Sequence, residues 1–592
     1  MRGIFFVCKL TDSQSIFALM SHMPVAPMPD QYDVLIIGGG PCGLAAAIAL
    51  GRCGVKTLLI EKHPSTSFHP RGHVVNARTM EILRTWGLEE DVRARGIPHD
   101  RNQGVAFVRS VAGEQIGEIR TFADRQRNRI IETYGPSAKT SCSQDLLEPV
   151  LRRGAEAQRS VLARFGTRLD SLTQDEASVE ARMSDPNGKS RTVRAKYAIA
   201  ADGARGTLRD QLGVALSGDG ALGNQIGVYF EADLWPLVAD RPNLLWWIYN
   251  EKTVGVMIAL DGRRRWTYNF GYNAEKDKPE DFTPERCAGI VKAAIGMDGM
   301  DVSIRDIRIW QMQARIAQTL RVGRVFLAGD AAHPLPPTGG QGMNTAVGDA
   351  HNLSWKLALV VKELADPRLL DSYEQERLPV IRFNVEQSVR NARKMAVAGL
   401  GGIMRTHEDF REEDVARMRK AIPQQREHFD YYGQTFGYAY RSPAILDEGG
   451  DAMPREINTY EATTAPGGRA PHCWLSWPGG VMLSTIDLFK DMRFTLLAGR
   501  EGQTWASAFR RAAADVGIEG HAYTVGPDAD LIDHQGTFHE VFEISPRGSV
   551  LVRPDGHVVW RSHGAQEDAC DLLRSILHTA VSGVRDHALQ AA

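Results

Sequence analysis

The chain has 592 residues, which predicts several domains, and its 43% hydrophobic and 24% charged content is ordinary for a soluble globular protein. A formal net charge of −2 gives no electrostatic reason to expect nucleic acid or an anionic membrane as a partner. No run of about 18 apolar residues indicates a transmembrane helix. The seven cysteines include no C-x-x-C pair, which indicates a reducing, cytoplasmic compartment and argues against a disulfide framework or a zinc site.

The first residues precede any recognisable element, and residues 1–30 are predicted to be a disordered arm. Gly3–Val7 is apolar but short, and Thr11–Gln14 follows it with polar residues. The stretch therefore lacks the sustained apolar region of a signal peptide.

A glycine-rich turn follows the first predicted strand. Val34–Ile37 is typical of a buried parallel strand, and Ala45–Leu50 is typical of the helix after it. Between them, Gly38, Gly40 and Gly43 form G-x-G-x-x-G, which allows a tight turn, a close pyrophosphate and close helix packing, respectively. The turn predicts a dinucleotide site at the helix N-terminus, and the alternative is a glycine-rich turn in an ordinary βαβ unit.

A second strand, Lys56–Ile60, ends in an acidic residue. Glu61 lies about 20 residues after the glycine turn, where such an acid binds a ribose 2′-OH. In the loop that follows, Arg71 either binds phosphate or covers the cofactor, and the alternative is an ordinary solvated arginine. Asn76 is a candidate cap for the next helix.

Two further polar positions lie where ligands bind in doubly wound folds. Gln144 falls in the first turn of a predicted helix that starts at Ser141. Asp202-Gly203 ends an apolar strand over Thr192–Ala200, and the carboxyl ends of such strands form the ligand edge of the sheet. Alone, either feature is compatible with a plain turn.

Residues 225–275 change character and predict an antiparallel sheet inserted between two halves of the nucleotide fold. Alternating aromatic residues in these strands are expected mostly to pack against helices. One or two of them are expected to line an aromatic pocket, for which the candidates are Arg265, Tyr249, Tyr268 and, from the loop described next, Pro336.

A second strong signal follows the strand Val325–Ala328. Asp330 can accept hydrogen bonds from a sugar-like chain, and several prolines stiffen the loop after it. Gly339–Asn344 then opens a helix whose free N–H groups can stabilise a developing anion. The sequence therefore predicts two helix N-termini directed at one elongated cofactor.

In these fingerprints the chain resembles the p-hydroxybenzoate hydroxylase-like FAD monooxygenases, and most closely the phenol and dichlorophenol hydroxylase branch. The resemblance covers the chain after about residue 31, and one departure is Gly206, near which the family usually carries serine. It implies non-covalent FAD, with Glu61 on the adenosine ribose and Asp330 on the ribityl chain. The predicted cofactor-binding residues are Gly38, Gly40, Pro41, Cys42, Gly43, Glu61, Lys62, Arg71, Gln144, Asp202, Asp330, Gly340, Gly342, Met343 and Asn344.

The resemblance also implies an activity. Reduced flavin would take O2 to a C4a-hydroperoxide that hydroxylates a phenol or another electron-rich ring. Only one dinucleotide fingerprint is present, so NADPH or NADH is expected to bind transiently. The alternatives are Baeyer–Villiger oxidation or epoxidation of a polycyclic, polyketide-like substrate, and a flavin-binding protein without turnover. No metal site is predicted.

The fold class implied is α/β, with a Rossmann-like FAD-binding domain, an inserted antiparallel substrate sheet and a thioredoxin-like C-terminal domain without C-x-x-C. The predicted parts are residues 31–215 and 319–400 for the FAD domain, 216–318 for the sheet, 401–465 for a helical connector and 466–592 for the tail. Because the nucleotide fold lies before residue 466, we expect the tail to be separable from the cofactor. The tail is expected to serve assembly or packing, by holding subunits together or by shielding core surface, and a homodimer is expected.

Overall fold

The computed structural model describes residues 30–121, 125–402 and 406–584. The arm predicted over residues 1–30 therefore lies outside the described residues, except for its last position. Within the described ranges, no helix is both long and apolar enough to cross a membrane.

The chain forms helices and strands in alternation, as an α/β protein does. From residue 31 to 215 the elements are β1 Gln31–Ile37, α1 Pro41–Arg52, β2 Thr57–Glu61, β3 Val74–Val75, α2 Ala77–Thr85, α3 Glu89–Arg95, β4 Gly104–Val108, β5 Gln115–Arg120, α4 Arg125–Tyr134, β6 Thr140–Ser141, α5 Gln144–Glu156, β7 Val161–Phe165, β8 Arg168–Gln174, β9 Val179–Ser184, β10 Ser190–Ala200 and α6 Leu208–Gln211. From there to residue 402 they are β11 Leu216–Glu231, α7 Trp235–Val238, β12 Leu245–Tyr249, β13 Val254–Ala259, β14 Arg265–Gly271, α8 Pro284–Ile295, β15 Ser303–Ala317, β16 Arg321–Val322, β17 Val325–Leu327, α9 Gly342–Val361 and α10 Ser372–Val397. The remaining elements are α11 Asp414–Ala421, α12 Tyr432–Phe436, β18 Trp474–Ser476, β19 Met482–Ser484, β20 Phe494–Ala498, α13 Gln503–Val516, β21 Gly520–Thr524, α14 Phe538–Val541, β22 Ser549–Val552, β23 Val558–Ser562 and α15 Ala569–Ser582.

The first sheet is a twisted, largely parallel one in the order β16-β17-β10-β1-β2-β7, with β8 and β9 attached beside β10. Ile37 pairs with both Ile60 and Ala200, and Ala200 pairs with Leu327. Four strands therefore end at one edge of the sheet. The turns that carry Gly38, Glu61, Asp202 and Asp330 lie together there, although they are far apart in the sequence.

The second sheet has seven strands in the order β15-β11-β14-β13-β12-β4-β5. The sequence placed its start at residue 216, but β4 and β5 come from the preceding range. They join beside β12, so the β12–β4 pair is parallel within an otherwise antiparallel sheet. One face of the sheet is apolar and packs on α8. The opposite face turns toward α10 and the cofactor loops.

The C-terminal residues form a four-stranded sheet in the order β21-β20-β22-β23, of which β20 and β21 are parallel and the other pairs antiparallel. This arrangement is compatible with a thioredoxin-like domain, which stays a prediction. The cysteines of the described ranges are all free thiols.

The tail packs against the cofactor half of the chain. Phe494, Trp505 and Leu573 belong to the same continuous apolar core as β1 and α1. Trp355 of α9 meets Phe494 edge to face, with ring centroids 6.0 Å apart. The packing of the tail on this core could not be predicted from the sequence, because the contacting residues lie more than a hundred positions apart.

Candidate functional site

The glycine turn after β1 has three positions with different steric demands. A Cβ at Gly38, where φ is +113°, would lie 2.2 Å from the Ala201 carbonyl oxygen, and one at Gly43 would lie 1.9 Å from that of Gly38. A Cβ at Gly40 would meet nothing within 4 Å. Gly38 and Gly43 are therefore required by the protein itself, whereas Gly40 borders open space at the N-terminus of α1. Pro41 occupies the first helical position, and the buried Cys42 donates from Sγ to the Ala346 carbonyl.

Glu61 fastens the end of β2 to the glycine turn. Its Oε2 accepts a hydrogen bond of 2.7 Å from the Gly39 N–H, and its Oε1 accepts one of 2.8 Å from the His63 N–H. Each carboxylate oxygen keeps a second lone pair for an external donor such as a ribose hydroxyl. Lys62 beside it is exposed and contributes positive charge near Asp202.

Arg71 stands on a loop that α5 holds in place. The Gln144 N–H donates to the Gly72 carbonyl at 2.7 Å, and the Gly72 N–H donates to Gln144 Oε1 at 3.4 Å. Arg71 is exposed, and its charge reaches Asp330 closely enough to act on the pKa of that carboxyl group. The structure thus brings together three residues that the sequence analysis predicted separately.

Asp202 carries an unsatisfied buried atom at this edge. Its Oδ2 accepts a hydrogen bond of 3.3 Å from the Leu208 N–H, while Oδ1 is buried and has no hydrogen-bond partner. Burial raises the pKa of Asp202, which the Leu208 amide and nearby cations only partly offset. A Cβ at Gly206 would lie 2.2 Å from the Asp202 carboxyl carbon, so this position of the Asp202 side chain requires glycine at residue 206.

Asp330 follows β17 at the same edge of the sheet. Its side chain is exposed and receives no hydrogen bond from any residue that the structure describes. Burial by the surrounding protein nevertheless raises its pKa, against the lowering effect of His333 and Arg71. A carboxylate that is accessible but crowded by protein is suited to accept hydrogen bonds from a bound polyol.

The start of α9 is tied to the loop after Arg71. The Asn76 N–H donates to Asn344 Oδ1 at 2.9 Å, and Asn344 Nδ2 donates to the Val74 carbonyl at 3.0 Å and to the Gly340 carbonyl at 2.7 Å. Gly340 has φ +65°, and a Cβ there would lie 3.0 Å from the Val74 Cβ. Gly342 begins the helix, and Met343 is half-buried.

The four pocket candidates lie in different places. Tyr268 is on the sheet face that packs on α8, where its hydroxyl lies 2.7 Å from Thr253 Oγ1, so it does not face the cofactor loops. Tyr249 lies on the opposite face but is buried, and it donates to the Leu400 carbonyl. Pro336 is buried in its loop. Arg265 is half-buried on the cofactor-facing side, where its Nε donates to Tyr229 Oη at 3.1 Å and it pairs with Asp145.

A group of polar residues around Gly227 is visible only in the structure. We call it the Gly227 cluster, and it consists of Gly227, His69, Asn269, Asp306 and Trp310. A Cβ at Gly227 would lie 2.9 Å from Asn269 Oδ1, 3.4 Å from Trp310 Nε1 and 3.7 Å from His69 Nε2. Hydrogen bonds to described residues use none of these three atoms. The sequence does not indicate the pairing of His69 with Asp306, because the two residues lie 237 positions apart.

A cavity of about 970 Å³ lies elsewhere, between α10, the ends of β11 and β15, and α11. Ala314, Ile316 and Val389 contribute apolar walls, while Arg390 and Arg393 contribute cations. None of the predicted cofactor residues lines it. The cleft at the sheet edge and this cavity are therefore distinct.

The sheet edge fits an FAD molecule by its own chemistry. Gly40 leaves room for a pyrophosphate at a helix start whose first N–H groups lack a side-chain cap. Asp330 and the second lone pairs of Glu61 are acceptors for hydroxyl groups. In the described ranges, no cluster of His, Cys, Asp or Glu has the geometry of a metal site.

Two protein-family models match the chain. One, described as "FAD binding domain", covers residues 31–388, and the other, described as "Aromatic-ring hydroxylase, C-terminal", covers residues 463–582. The chain is 37% identical to tetracenomycin A2 monooxygenase-dioxygenase of Streptomyces glaucescens, over 93% of this chain and 96% of that protein. It is 33% identical to 2,4-dichlorophenol 6-monooxygenase of Delftia acidovorans, over 93% and 98%.

Solved structures agree with these relatives. The flavin-dependent monooxygenase PieE, in complex with FAD and substrate, has a TM-score of 0.84 and 34% identity over 93% of this chain and 99% of its own. Aklavinone-11 hydroxylase, in a ternary complex with FAD and aklavinone, has a TM-score of 0.81 and 35% identity over 94% and 100%. The fold class and the FAD cofactor predicted from the sequence are confirmed. The matches extend over the glycine turn, the inserted sheet and the tail, and the chain belongs to the FAD-dependent aromatic-ring hydroxylases.

Proposed function

We propose that the chain uses NAD(P)H and O2 to hydroxylate a phenolic ring whose hydroxyl group is held by the Gly227 cluster. The observation that carries the proposal is that unpaired polar atoms of His69, Asn269 and Trp310 lie together around Gly227, which has no side chain. A phenol presents one donor and acceptor at the edge of a flat apolar ring. Such a group can pair with these atoms while its ring lies against aromatic side chains.

The Gly227 cluster is connected to the predicted cofactor residues through a loop and a strand. His69 lies two positions before Arg71, whose charge acts on Asp330. Strand β15, which carries Asp306 and Trp310, also holds the loop after Asp330, because the Ala317 N–H donates to the Ala332 carbonyl at 2.7 Å. A ring bound at the cluster would therefore lie beside a cofactor bound at the sheet edge.

Bound FAD would supply hydride uptake from NAD(P)H and the activation of O2. In the balanced reaction one oxygen atom converts a ring C–H to C–OH, the other leaves as water, and NAD(P)H is oxidised. The chain positions the dinucleotide at Gly40 and Asp330, holds the ring and excludes water from the cleft. Because only one dinucleotide fingerprint is present, NAD(P)H is proposed to bind transiently.

Other outcomes stay open within the same cofactor chemistry. Baeyer–Villiger oxidation or epoxidation of a polycyclic substrate would need the same FAD site, and two of the similar proteins are named for tetracenomycin A2 and aklavinone. A flavin-binding protein without turnover is the remaining alternative. Partners for a phenolic hydroxyl in the Gly227 cluster support ring hydroxylation.

The test is a screen of the purified, FAD-loaded protein with NADH and with NADPH. The substrates are 2,4-dichlorophenol, 4-methyl-5-nitrocatechol, aklavinone and tetracenomycin A2. We expect at least one to stimulate coenzyme oxidation and to gain one oxygen atom from isotopically labelled O2 as a ring hydroxyl, established by mass spectrometry and NMR. A lactone or epoxide product, or coenzyme oxidation that yields only hydrogen peroxide, would overturn the proposal.

The chain is further proposed to form a homodimer. The turn between β18 and β19 exposes Trp477, Val481 and Met482, of which Val481 is 65% exposed. Exposed apolar groups of this kind often mark a protein contact. Light scattering on the purified protein decides between a dimer and a monomer.

A further inference from the structure

We propose that His69 is the general base that takes the proton from the substrate hydroxyl, with Asp306 as its positioning residue. The inference rests on the proposed function and assigns the group that the sequence left unassigned. It depends on the geometry of a dyad in which the buried His69 lies beside Gly227 and pairs with the half-buried Asp306.

The direction of the imidazole is set by Asp306. His69 is 5% exposed, and its Nδ1 lies 2.9 Å from Asp306 Oδ2. A carboxylate accepts a hydrogen bond, so the proton is assigned to Nδ1 and the lone pair to Nε2. Nε2 is the atom that lies 3.7 Å from the Cβ position of Gly227. The basic nitrogen of the ring therefore faces the space proposed for the phenol.

The charges around His69 keep the imidazole neutral. Burial lowers the pKa of His69, and Arg308 and Arg71 add to this effect, while Asp306 opposes it. Arg308 Nε also donates to Asp306 Oδ2, at 2.7 Å. The ring of Tyr229 lies across the imidazole, with centroids 6.4 Å apart. Since its pKa lies below the ordinary value, His69 is in the proton-accepting form at neutral pH.

Among the described residues around Gly227, the neighbours of His69 are unsuited to this transfer. Asn269 and Trp310 do not titrate in the relevant range, and Asp306 faces the opposite side of the imidazole. The Tyr229 hydroxyl oxygen is engaged, because it accepts a hydrogen bond from Arg265 Nε. These neighbours provide hydrogen bonds to a substrate, and only His69 provides a base.

The step is a proton transfer. The O–H bond of the phenol breaks, an N–H bond forms at His69 Nε2, and the electron pair stays on the phenol oxygen. The resulting phenolate is richer in electrons at its ortho and para carbons, which favours oxygen transfer to those positions. Asp306 stabilises the imidazolium while His69 carries the proton on Nε2. The proton passes to solvent when the product leaves.

The test compares His69→Gln with the wild-type protein, using the panel member that the wild type hydroxylates. We expect hydroxylation to slow by about 10²–10⁴-fold, as general-base losses do. The loss should shrink for halogenated phenols that are already ionised at the assay pH. Asp306→Asn should keep part of the rate and shift the pH profile. His521→Gln in the C-terminal sheet is the control and should retain the wild-type rate.

A second readout does not depend on turnover. The ultraviolet spectrum of the bound phenol reports its ionisation, which we expect at lower pH in the wild type than in His69→Gln. FAD content and melting temperature establish that the variant is folded. A variant with wild-type rate, pH profile and bound-phenol spectrum would overturn the assignment of His69 alone. A wild-type protein that hydroxylates no member of the panel would instead overturn the proposed function, and this assignment with it.

Discussion

At the scale of single residues, the glycines of the first turn separate the demands of folding from those of binding. Gly38 sits at φ +113° against the backbone of Ala201, and no side chain fits there. Gly40 has an ordinary extended conformation and faces open space. The sequence motif contains both residues, but only the structure shows which contacts the protein and which is free for a ligand.

We therefore predict that one substitution will weaken FAD binding and that a matched substitution will lower the stability of the fold. Gly40→Ala should fold normally but lose FAD, because its methyl group would occupy the space of the pyrophosphate. Each charge-assisted hydrogen bond lost there would cost about 1.5–3 kcal/mol of FAD binding, or about one to two orders of magnitude in affinity. Isothermal titration of the apoprotein with FAD measures the effect.

Gly38→Ala is the partner variant in this comparison. We expect a loss of stability of at least about 1–3 kcal/mol from backbone strain alone, in addition to the overlap with Ala201. Circular dichroism during denaturation measures it. Equal stabilities for the two variants, or wild-type FAD affinity for Gly40→Ala, would contradict the distinction.

The residues that the sequence could predict are those whose function follows from local order. Glu61 follows its strand at the distance typical of a ribose-binding acid, and the structure shows how it also holds the turn. Gly206 could not be explained from sequence, because the obstacle is the Asp202 carboxyl group. His69 could not be assigned because it lies in a loop and its partner Asp306 comes from strand β15, 237 positions away. The role of Glu61 in cofactor binding and the role of His69 at the substrate stay predictions.

At the scale of elements, the inserted sheet shows the limit of a pattern argument. The alternation in β14 is visible in the sequence and correctly separates Tyr268 from its neighbours on the strand. Which face meets the cofactor depends on α8, which covers the Tyr268 side. The side chains at Arg265 and Asn269 alternate with it and lie on the other face. The sequence showed that side chains alternate along β14, but it did not show which face of the sheet a helix covers.

The start of α9 depends on one side chain. Asn344 joins the helix start to both the Val74 carbonyl and the Asn76 N–H, and it also caps the Gly340 carbonyl. The bonds to Val74 and Asn76 join this predicted flavin-binding segment to the loop after Arg71, and the bond to Gly340 lies within the segment. The position of the helix N-terminus is thus tied to the loop that follows Arg71.

We predict that Asn344→Ala will displace this helix start. Each buried partner left unsatisfied costs about 1–3 kcal/mol, so a measurable loss of stability is expected. FAD should still bind through the glycine turn, but product formed per NAD(P)H should fall and hydrogen peroxide should rise. Peroxide and product assays under equal coenzyme consumption measure the ratio. If this variant formed as much product per NAD(P)H as the wild type, the helix start would have a packing role and no role in directing oxygen to the substrate.

At the scale of the whole molecule, the tail completes the cofactor half of the chain. The turn between β22 and β23 places Arg553 against α10, where its Nη1 and Nη2 donate to the two oxygens of Glu376 at 2.7 and 2.9 Å. Arg553 is fully buried and also pairs with Asp555. A charge from the tail therefore neutralises one in the core of the preceding domain.

From this pair a buried network reaches the cofactor turn. Arg377, next to Glu376, donates from Nε to Asp349 Oδ1 at 2.8 Å. Asp349 Oδ2 lies 2.6 Å from His333 Nε2 and accepts from the Gly329 N–H at 3.0 Å. Gly329 precedes Asp330, so the tail and the predicted ribityl-binding residue share one network. Local sequence signals could not predict it, because Arg553 and Glu376 are 177 positions apart.

The last prediction concerns Arg553→Met, which keeps a long apolar stem but leaves Glu376 and Asp555 with less positive charge. Breaking one side of a buried ion pair costs about 3–5 kcal/mol, and we expect this loss of stability together with weaker FAD retention. Chemical denaturation followed by circular dichroism and by FAD fluorescence measures both. Arg574→Met, which removes an exposed pair with Asp515, is the control and should change little.

The same pair makes stability depend on acid in a definite direction. Burial alone would raise the pKa of Glu376, but Arg553 and Lys356 outweigh it and lower the pKa to about 2. A carboxyl group with a lowered folded pKa stabilises the protein fully above its unfolded value of about 4.3, and this contribution is lost as the pH falls toward 2. In Arg553→Met the pKa of Glu376 should rise, so stability should fall less steeply between pH 5 and 3 than in the wild type. Parallel stability profiles for the two proteins over that range would show that the Arg553 turn packs against α10 without controlling its charge, and the tail would then support the cofactor domain by apolar contact alone.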